Sequence, residues 1–451
     1  ALPYILSFAD VYLTPLYFIL ILLLVIKWYR KHKTTPGASY ILPAFIVKFL
    51  CCIAMALLYN FYYGYGDTFG YFTGGTEIRK AFLDNPFYAV ELIFKPGNEV
   101  SDKALEHFNF MSGVKFDQSA TNNMIRIAGI AAILGMGTYI PMAFILASLG
   151  LIGSWKMYRV FSAEFPQYQK LAVYTCLFSP TALLWSAGVI KDTICLFGLG
   201  LCISSIYKIL KRTELLQGLI EGLIGAFLLL IIKDYLFHIV LISLAIVLIY
   251  FKLISNKTSV VKIISRSLFS LLLLFGIFWY AQNSELIGDF IYDNFQSKTE
   301  TLQNATMAIN ENDGGSGYTI ANAGDFSPLG FLLNSLVSLA TTLFRPFFWE
   351  CKNPLMVLNA LESFAVLLMV LYLFVKTRVV GFFSFAFSNP FLAFAVTYSL
   401  LLGALVGFVS FNFGTLIRYK MPLVPLFYTY LIILYGKVRF QKNDIPEQNI
   451  I

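Results

Sequence analysis

The sequence predicts an all-α polytopic membrane protein of about eleven transmembrane helices, with juxtamembrane helices in its outer loops. Three observations carry that prediction. Of the 451 residues, 58% are hydrophobic and only 13% are charged. Apolar runs of about 18 residues or more recur along the chain, each long enough for a helix to cross the hydrocarbon core. Runs such as Leu223 to Ile232 and Phe364 to Val375 are apolar on every side, which is unlike the alternation of a membrane β-strand.

The chain reads as a single transmembrane domain, 1–451. The first span, about Val11 to Trp28, ends in the basic cluster Lys27, Arg30, Lys31 and Lys33, which places that end in the cytoplasm and the N-terminus outside. The second, about Tyr40 to Tyr62, returns outward, with Lys48 expected to snorkel toward the inner surface. Residues 63–123 form a first outer loop in which apolar residues at helical spacing predict juxtamembrane helices. Ile125 to Gly137 is short and glycine-rich and reads as a part-inserted helix.

Spans three to seven follow at about Tyr139–Tyr158, Lys170–Ile190, Thr193–Ile209, Leu215–Ile232 and Tyr235–Phe251. The same device, Ile-Lys-Asp, closes two successive outer hairpins at Lys191-Asp192 and Lys233-Asp234. An eighth span, about Leu268 to Ala281, opens a second long outer loop, 282–352, whose Leu329 to Phe344 stretch reads as a partly inserted or surface helix. Spans at about Pro354–Val375, Pro390–Val409 and Met421–Tyr435 complete the count and leave the C-terminus inside.

Charge supports this orientation. Of 33 Lys and Arg, 19 fall in the predicted inner loops and tail beside four acids, whereas the outer side holds 13 basic and 19 acidic residues. The net charge of +8 is therefore a topology signal, and no nucleic-acid partner is implied. Five of six cysteines lie in apolar runs and no CxxC pair occurs, so neither a disulfide framework nor a zinc site is suggested. A nucleotide-binding glycine loop is also missing, which disfavours a nucleotide-driven enzyme.

The stretch YGYGDTFGYFTGG, Tyr63 to Gly75, carries the candidate chemistry. It sets one carboxylate, Asp67, at the outer membrane edge, where it reads as a general base or as a solvated turn residue. Glu77, Asp84 and Asp325 are rival acids, and Glu362, within a span, needs a partner or a function. Lys191, Lys233, Arg345, Arg418 and Lys420 all lie near predicted outer edges. Five cations at one depth would clamp a phosphate headgroup, or would anchor helix ends to lipid phosphates. RPFFWE adds the charge pair Arg345 and Glu350, while FNFGTLIRYKMPLVP holds Arg418, Tyr419 and Lys420 at an irregular entry to the last span. Tyr71, Asp192 and His238 complete the candidate substrate-binding set.

In GDTFGY (66–71), SPTALLWSAGVIKD (179–192) and GTLIRYKMPLVP (414–425) the chain resembles the C-type integral-membrane glycosyltransferases, the GT-C superfamily. The resemblance implies a GT-C-like fold and an inverting transfer of sugar from a polyprenyl-phosphate or diphosphate donor. The acceptor would be a lipid, glycan or protein of the envelope, at the outer face of the cytoplasmic membrane. Asp67 stands where the family has its catalytic aspartate, Arg418 and Lys420 match its lipid-phosphate ligands, and Lys191 and Arg345 are looser matches. Asp67 follows the second span rather than the first, so an additional N-terminal span is implied. No cofactor is specified, and a divalent metal stays open. Alternative readings are a polymerase of lipid-linked repeat units, a lipid-linked glycan transporter, and a subunit of an envelope complex.

Overall fold

The computed structural model describes residues 5–108, 119–253, 316–318 and 328–440. The chain divides into two compact units, Ala1–Phe237 and His238–Ile451. Among the described residues there is no β-strand, only one isolated bridge between Gly317 and Asn412.

The first unit opens with α1 (Phe8–Lys31) and α2 (Ile41–Leu57), the latter extended by a π-helical turn, Leu58–Tyr63. The next segment holds α3 (Asp67–Asp84), α4 (Pro86–Phe94) and α5 (Asp102–Leu105), followed by α6 (Ala120–Leu134) and α7 (Tyr139–Glu164). Two short helices, α8 (Gln169–Leu177) and α9 (Pro180–Leu184), precede α10 (Lys191–Leu210) and α11 (Leu215–Leu253). The second unit comprises the remainder of α11 from His238, then α12 (Pro328–Phe344), α13 (Pro354–Ala386), α14 (Pro390–Val409), α15 (Phe413–Lys420) and α16 (Val424–Phe440).

Three helices begin with the same local chemistry. At Asn85-Pro86, Asn353-Pro354 and Asn389-Pro390, the asparagine side chain accepts a backbone N–H of the first turn, at 2.8–3.0 Å. Proline fills the next position, where no amide partner is needed and its φ is already helical.

Eight helices among the described residues are long and apolar enough to cross a membrane, and the chain is a multi-pass helical membrane protein. Expected spans one, two, three, five, nine, ten and eleven each fall on one of these helices. Spans six and seven both lie on α11, whose 39 residues exceed a single crossing and which is interrupted at Lys233 (φ −149°, ψ 82°). The eighth span and most of the second outer loop lie outside the described residues. The short segments at 125–137 and 329–344 are carried by α6 and α12, of 15 and 17 residues.

Three expectations are corrected. The fourth span is not a continuous helix: α8 ends at Leu177, α9 lasts five residues, and 185–190 runs as irregular backbone, wholly buried. Apolar composition alone does not distinguish a helix from buried coil, and Ser179-Pro180 and Gly188 interrupt the helical ladder. Nor does Lys48 reach for the inner surface. It is 3% exposed and donates to the Leu183 carbonyl (3.0 Å) and to Ser186 Oγ, so it caps the end of α9. The entry to the last span is also more regular than expected, since α15 runs into α16 through one 3₁₀ turn, Met421–Leu423.

Close helix approach in the first unit depends on glycine. A Cβ on Gly200 would overlap the Gly153 backbone, and one on Gly153 would lie 2.7 Å from Phe197 Cα, so α7 and α10 pack backbone to backbone. Gly200→Ala is accordingly expected to cost about 1–3 kcal/mol through overpacking. The check is the thermal unfolding midpoint of the purified protein in one fixed detergent, compared with an exposed α11 control, Leu223→Ala.

Candidate functional site

In the first unit the site is built from the end of α2. Gly64 (φ 68°) and Gly66 (φ 126°) take left-handed conformations that turn the chain from the π turn into α3. A Cβ on Gly66 would also lie 2.9 Å from Tyr59 Cε1, so this corner admits only glycine. Asp67 is the first residue of α3 and is exposed. Thr68 beside it is buried, with Oγ1 2.8 Å from the Tyr139 hydroxyl, which pins the first turn to α7. The carboxylate therefore stands on a fixed helix start rather than on a loop.

Tyr71 lies one turn beyond Asp67, on the same side of α3. Lys191 Nζ sits 5.8 Å from its ring centroid and donates to Thr121 Oγ1 at 3.3 Å. Asp67, Tyr71 and Lys191 thus share one end of this unit.

Asp192 behaves differently from its neighbour. It is 0% exposed and accepts from Lys233 Nζ at 2.6 Å. The two Lys-Asp turns therefore cross-pair, the acid of the first with the lysine of the second. Lys233 is also the non-helical residue of α11, and the Ile231 carbonyl near the break accepts from Asn123 Nδ2 at 3.0 Å. Asp234 is exposed and accepts from the Tyr235 amide at 2.9 Å. Asp192 and Lys233 are sealed together and hold the break in place.

A second cluster lies in the second unit. The Arg345 guanidinium sits 4.6 Å from the Tyr318 ring centroid and 5.1 Å from that of Phe413. Its Nε donates to both Glu350 oxygens at 2.9 and 3.2 Å, and Nη2 bonds the same carboxylate. Burial pushes the Tyr318 phenol above its ordinary value, so its hydroxyl stays a donor and bonds the Ser410 carbonyl. The Arg345 carbonyl in turn accepts from Lys420 Nζ (3.2 Å) and Ser363 Oγ (3.3 Å).

Lys420 is 2% exposed and also donates to Ser363 Oγ at 2.9 Å. Its amine points into the unit, where the Glu362 carboxylate acts on it electrostatically. Arg418 and Tyr419 are half-buried on α15, and His238 is exposed at the start of this unit.

The structure thus brings together Tyr71 with Lys191, Asp192 with Lys233, and Arg345 with Glu350 and Lys420. Tyr318, Phe413, Ser363, Thr121 and Asn123 belong to these clusters without having been singled out in the sequence. Each is a neutral residue with no charge to mark it, and Phe413 falls within the FNFGTLIRYKMPLVP stretch without standing out there.

No family model matches the chain, and neither a curated protein nor a solved structure does.

Because Asp192 and Lys233 compensate one another in a buried setting, Asp192→Asn leaves an uncompensated ammonium and is expected to cost about 3–5 kcal/mol. Asp192→Asn with Lys233→Met should regain most of that loss. Thermal unfolding of both variants checks it: equal destabilisation of single and double variants would mean that the pair is not what holds the α11 break.

Proposed function

We propose that the protein is a membrane glycosyltransferase that moves a sugar from a polyprenyl-phosphate or diphosphate donor to an envelope acceptor at the outer face of the cytoplasmic membrane. The observation that carries this reading is the placement of Asp67, an exposed carboxylate fixed at the first position of a helix at the end of a membrane span. The half-exposed amine of Lys191 stands over Tyr71, one turn away. In the reaction the acceptor hydroxyl attacks the anomeric carbon, forming the new glycosidic C–O bond as the bond from that carbon to the phosphate oxygen breaks. Asp67 takes the hydroxyl proton, and the leaving phosphate keeps the bonding electron pair, its charge met by cations. Attack opposite the leaving group inverts the anomeric centre.

Among the candidate cations, Lys191 in the first unit and Arg345 in the second are each, taken separately within their own unit, suited to a phosphate. Arg345 is oriented by Glu350 and two aromatic faces, and part of its guanidinium remains outside that ion pair. Lys420 is committed to Ser363 and to the Arg345 carbonyl, so in this reading it positions Arg345 and does not touch the phosphate.

One observation favours a second reading, a transporter of lipid-linked glycans. The discontinuous α8–α9 segment, with Lys48 bonded into its break, is the kind of irregular buried backbone that lines translocation paths.

The test uses purified protein in liposomes with extracted polyprenyl-linked sugars. Asp67→Asn is expected to lower transfer by about 10²–10⁴-fold. Its unfolding midpoint should stay close to that of the native chain, because the side chain is exposed. Full activity in Asp67→Asn would remove the assigned base. Passage of labelled donor across the bilayer by the native protein, with no new glycoside formed, would favour the transporter.

A further inference from the structure

Below the N-terminus of α1, in the first unit, lies an open groove of about 420 Å³. Leu6, Val11, Pro15, Phe18, Phe49 and Ile53 form its apolar walls. Beyond the groove, α1 continues with exposed Leu16, Ile19, Leu20, Leu23 and Leu24, a surface that lipid chains cover in a membrane span.

Two polar residues break the apolar lining. Asp10 is buried at one end and its acceptors are taken: Oδ2 receives the Ser7 amide and hydroxyl, each at 2.9 Å, and Oδ1 receives the Ile140 amide at 2.9 Å. It caps the N-terminus of α7 across the unit, where the helix dipole favours an anion. Thr14, one turn deeper, is 9% exposed, lines the groove, and its Oγ1 has no hydrogen-bond partner. A threonine within a membrane helix ordinarily returns its hydroxyl to the carbonyl one turn back. A buried hydroxyl left without that bond costs about 1–3 kcal/mol unless a ligand supplies a partner.

We propose that this groove holds one acyl chain of a membrane glycerolipid, with the chain's ester carbonyl accepting a hydrogen bond from Thr14 Oγ1. The walls match a hydrocarbon chain in chemistry and open to the lipid-facing side of α1. The carbonyl matches the hydroxyl in polarity, and Thr14 is six residues into α1, about 9 Å along its axis and so nearer the end of this span than its middle. Asp10 sets the sign of what fits beside it. No Lys or Arg is ion-paired to Asp10 among the described residues, so a phosphate held at Thr14 would meet a second anion with no cation beside it, whereas a neutral carbonyl meets no such repulsion. The lipid would lock α1, α2 and the start of α7 together. This inference is independent of any sugar transfer.

The experiment titrates delipidated full-length protein in detergent with dioleoylphosphatidylethanolamine and, separately, with its dialkyl-ether analogue, which has the same chains and headgroup but no ester carbonyl. Bound lipid is counted by native mass spectrometry. The native chain should bind the ester lipid about 5-fold more tightly, the worth of one hydrogen bond. Thr14→Val, close to isosteric, should bind both lipids at the ether level, and Ile53→Trp, which fills the groove, should bind neither above background. Equal binding of the two lipids by the native chain, an ester preference that survives Thr14→Val, or undiminished binding by Ile53→Trp would each overturn the proposal. If Ile53→Trp does not fold, the ester-to-ether ratio in Thr14→Val decides alone.

Discussion

In hydrocarbon there is no water to satisfy a peptide group, so each departure from helix within a span needs a side-chain partner or complete burial. The first unit meets that requirement at several points with polar side chains drawn from distant parts of the sequence. Lys48 of α2 takes the carbonyl at the end of α9, Asn123 of α6 takes the carbonyl near the break in α11, and Asp10 of α1 takes an amide at the start of α7. Asn60 likewise accepts the amides of Ile5 and Leu6, at 3.0 and 3.2 Å, tying the segment before α1 to the end of α2. Each irregularity is thereby a tertiary contact, and the topology of this unit is fixed where its helices fail.

That requirement also separates what the sequence makes legible from what it hides. Most spans could be read from composition, because a run of about 20 apolar residues has one low-energy arrangement in a bilayer. The discontinuity at 178–190 could not, because the residues that break it are themselves apolar or small and their burial keeps the hydropathy high. The signals were Ser179-Pro180 and Gly188 within the stretch and Lys48 within the second span, and only together do they imply a break with a cap. The Asn-Pro helix starts were legible in principle, since both residues act locally.

The charged positions show the same division. Lys191-Asp192 and Lys233-Asp234 look like one repeated turn, and local reasoning pairs each lysine with its own aspartate. In the folded unit the two turns exchange partners, leaving Lys191 and Asp234 toward solvent while Asp192 and Lys233 are sealed. Adjacent residues on a helix point about 100° apart, so a sequence neighbour is a poor ion-pair partner and a residue on another helix a good one. The spacing of charges along the chain therefore located the cluster without revealing which charges remain available to a ligand.

Availability is the property that sorts the candidate cations. A lysine whose donors are spent on carbonyls or a carboxylate inside the protein has already been compensated for leaving water, and giving it a phosphate would first require breaking those bonds. By that criterion Lys48, Lys233 and Lys420 are struts, each bonded within its own unit and less than a tenth exposed. Lys191 and Arg345 are less deeply enclosed: Lys191 lies beside the Tyr71 ring, and Arg345 is held both by two aromatic rings and by the Glu350 carboxylate. Aromatic faces orient a cation without neutralising it, whereas a carboxylate does both. Depth of burial and the partners drawn from other helices therefore separate the strut lysines from Lys191 and Arg345, and neither property could be read from residue type or spacing alone.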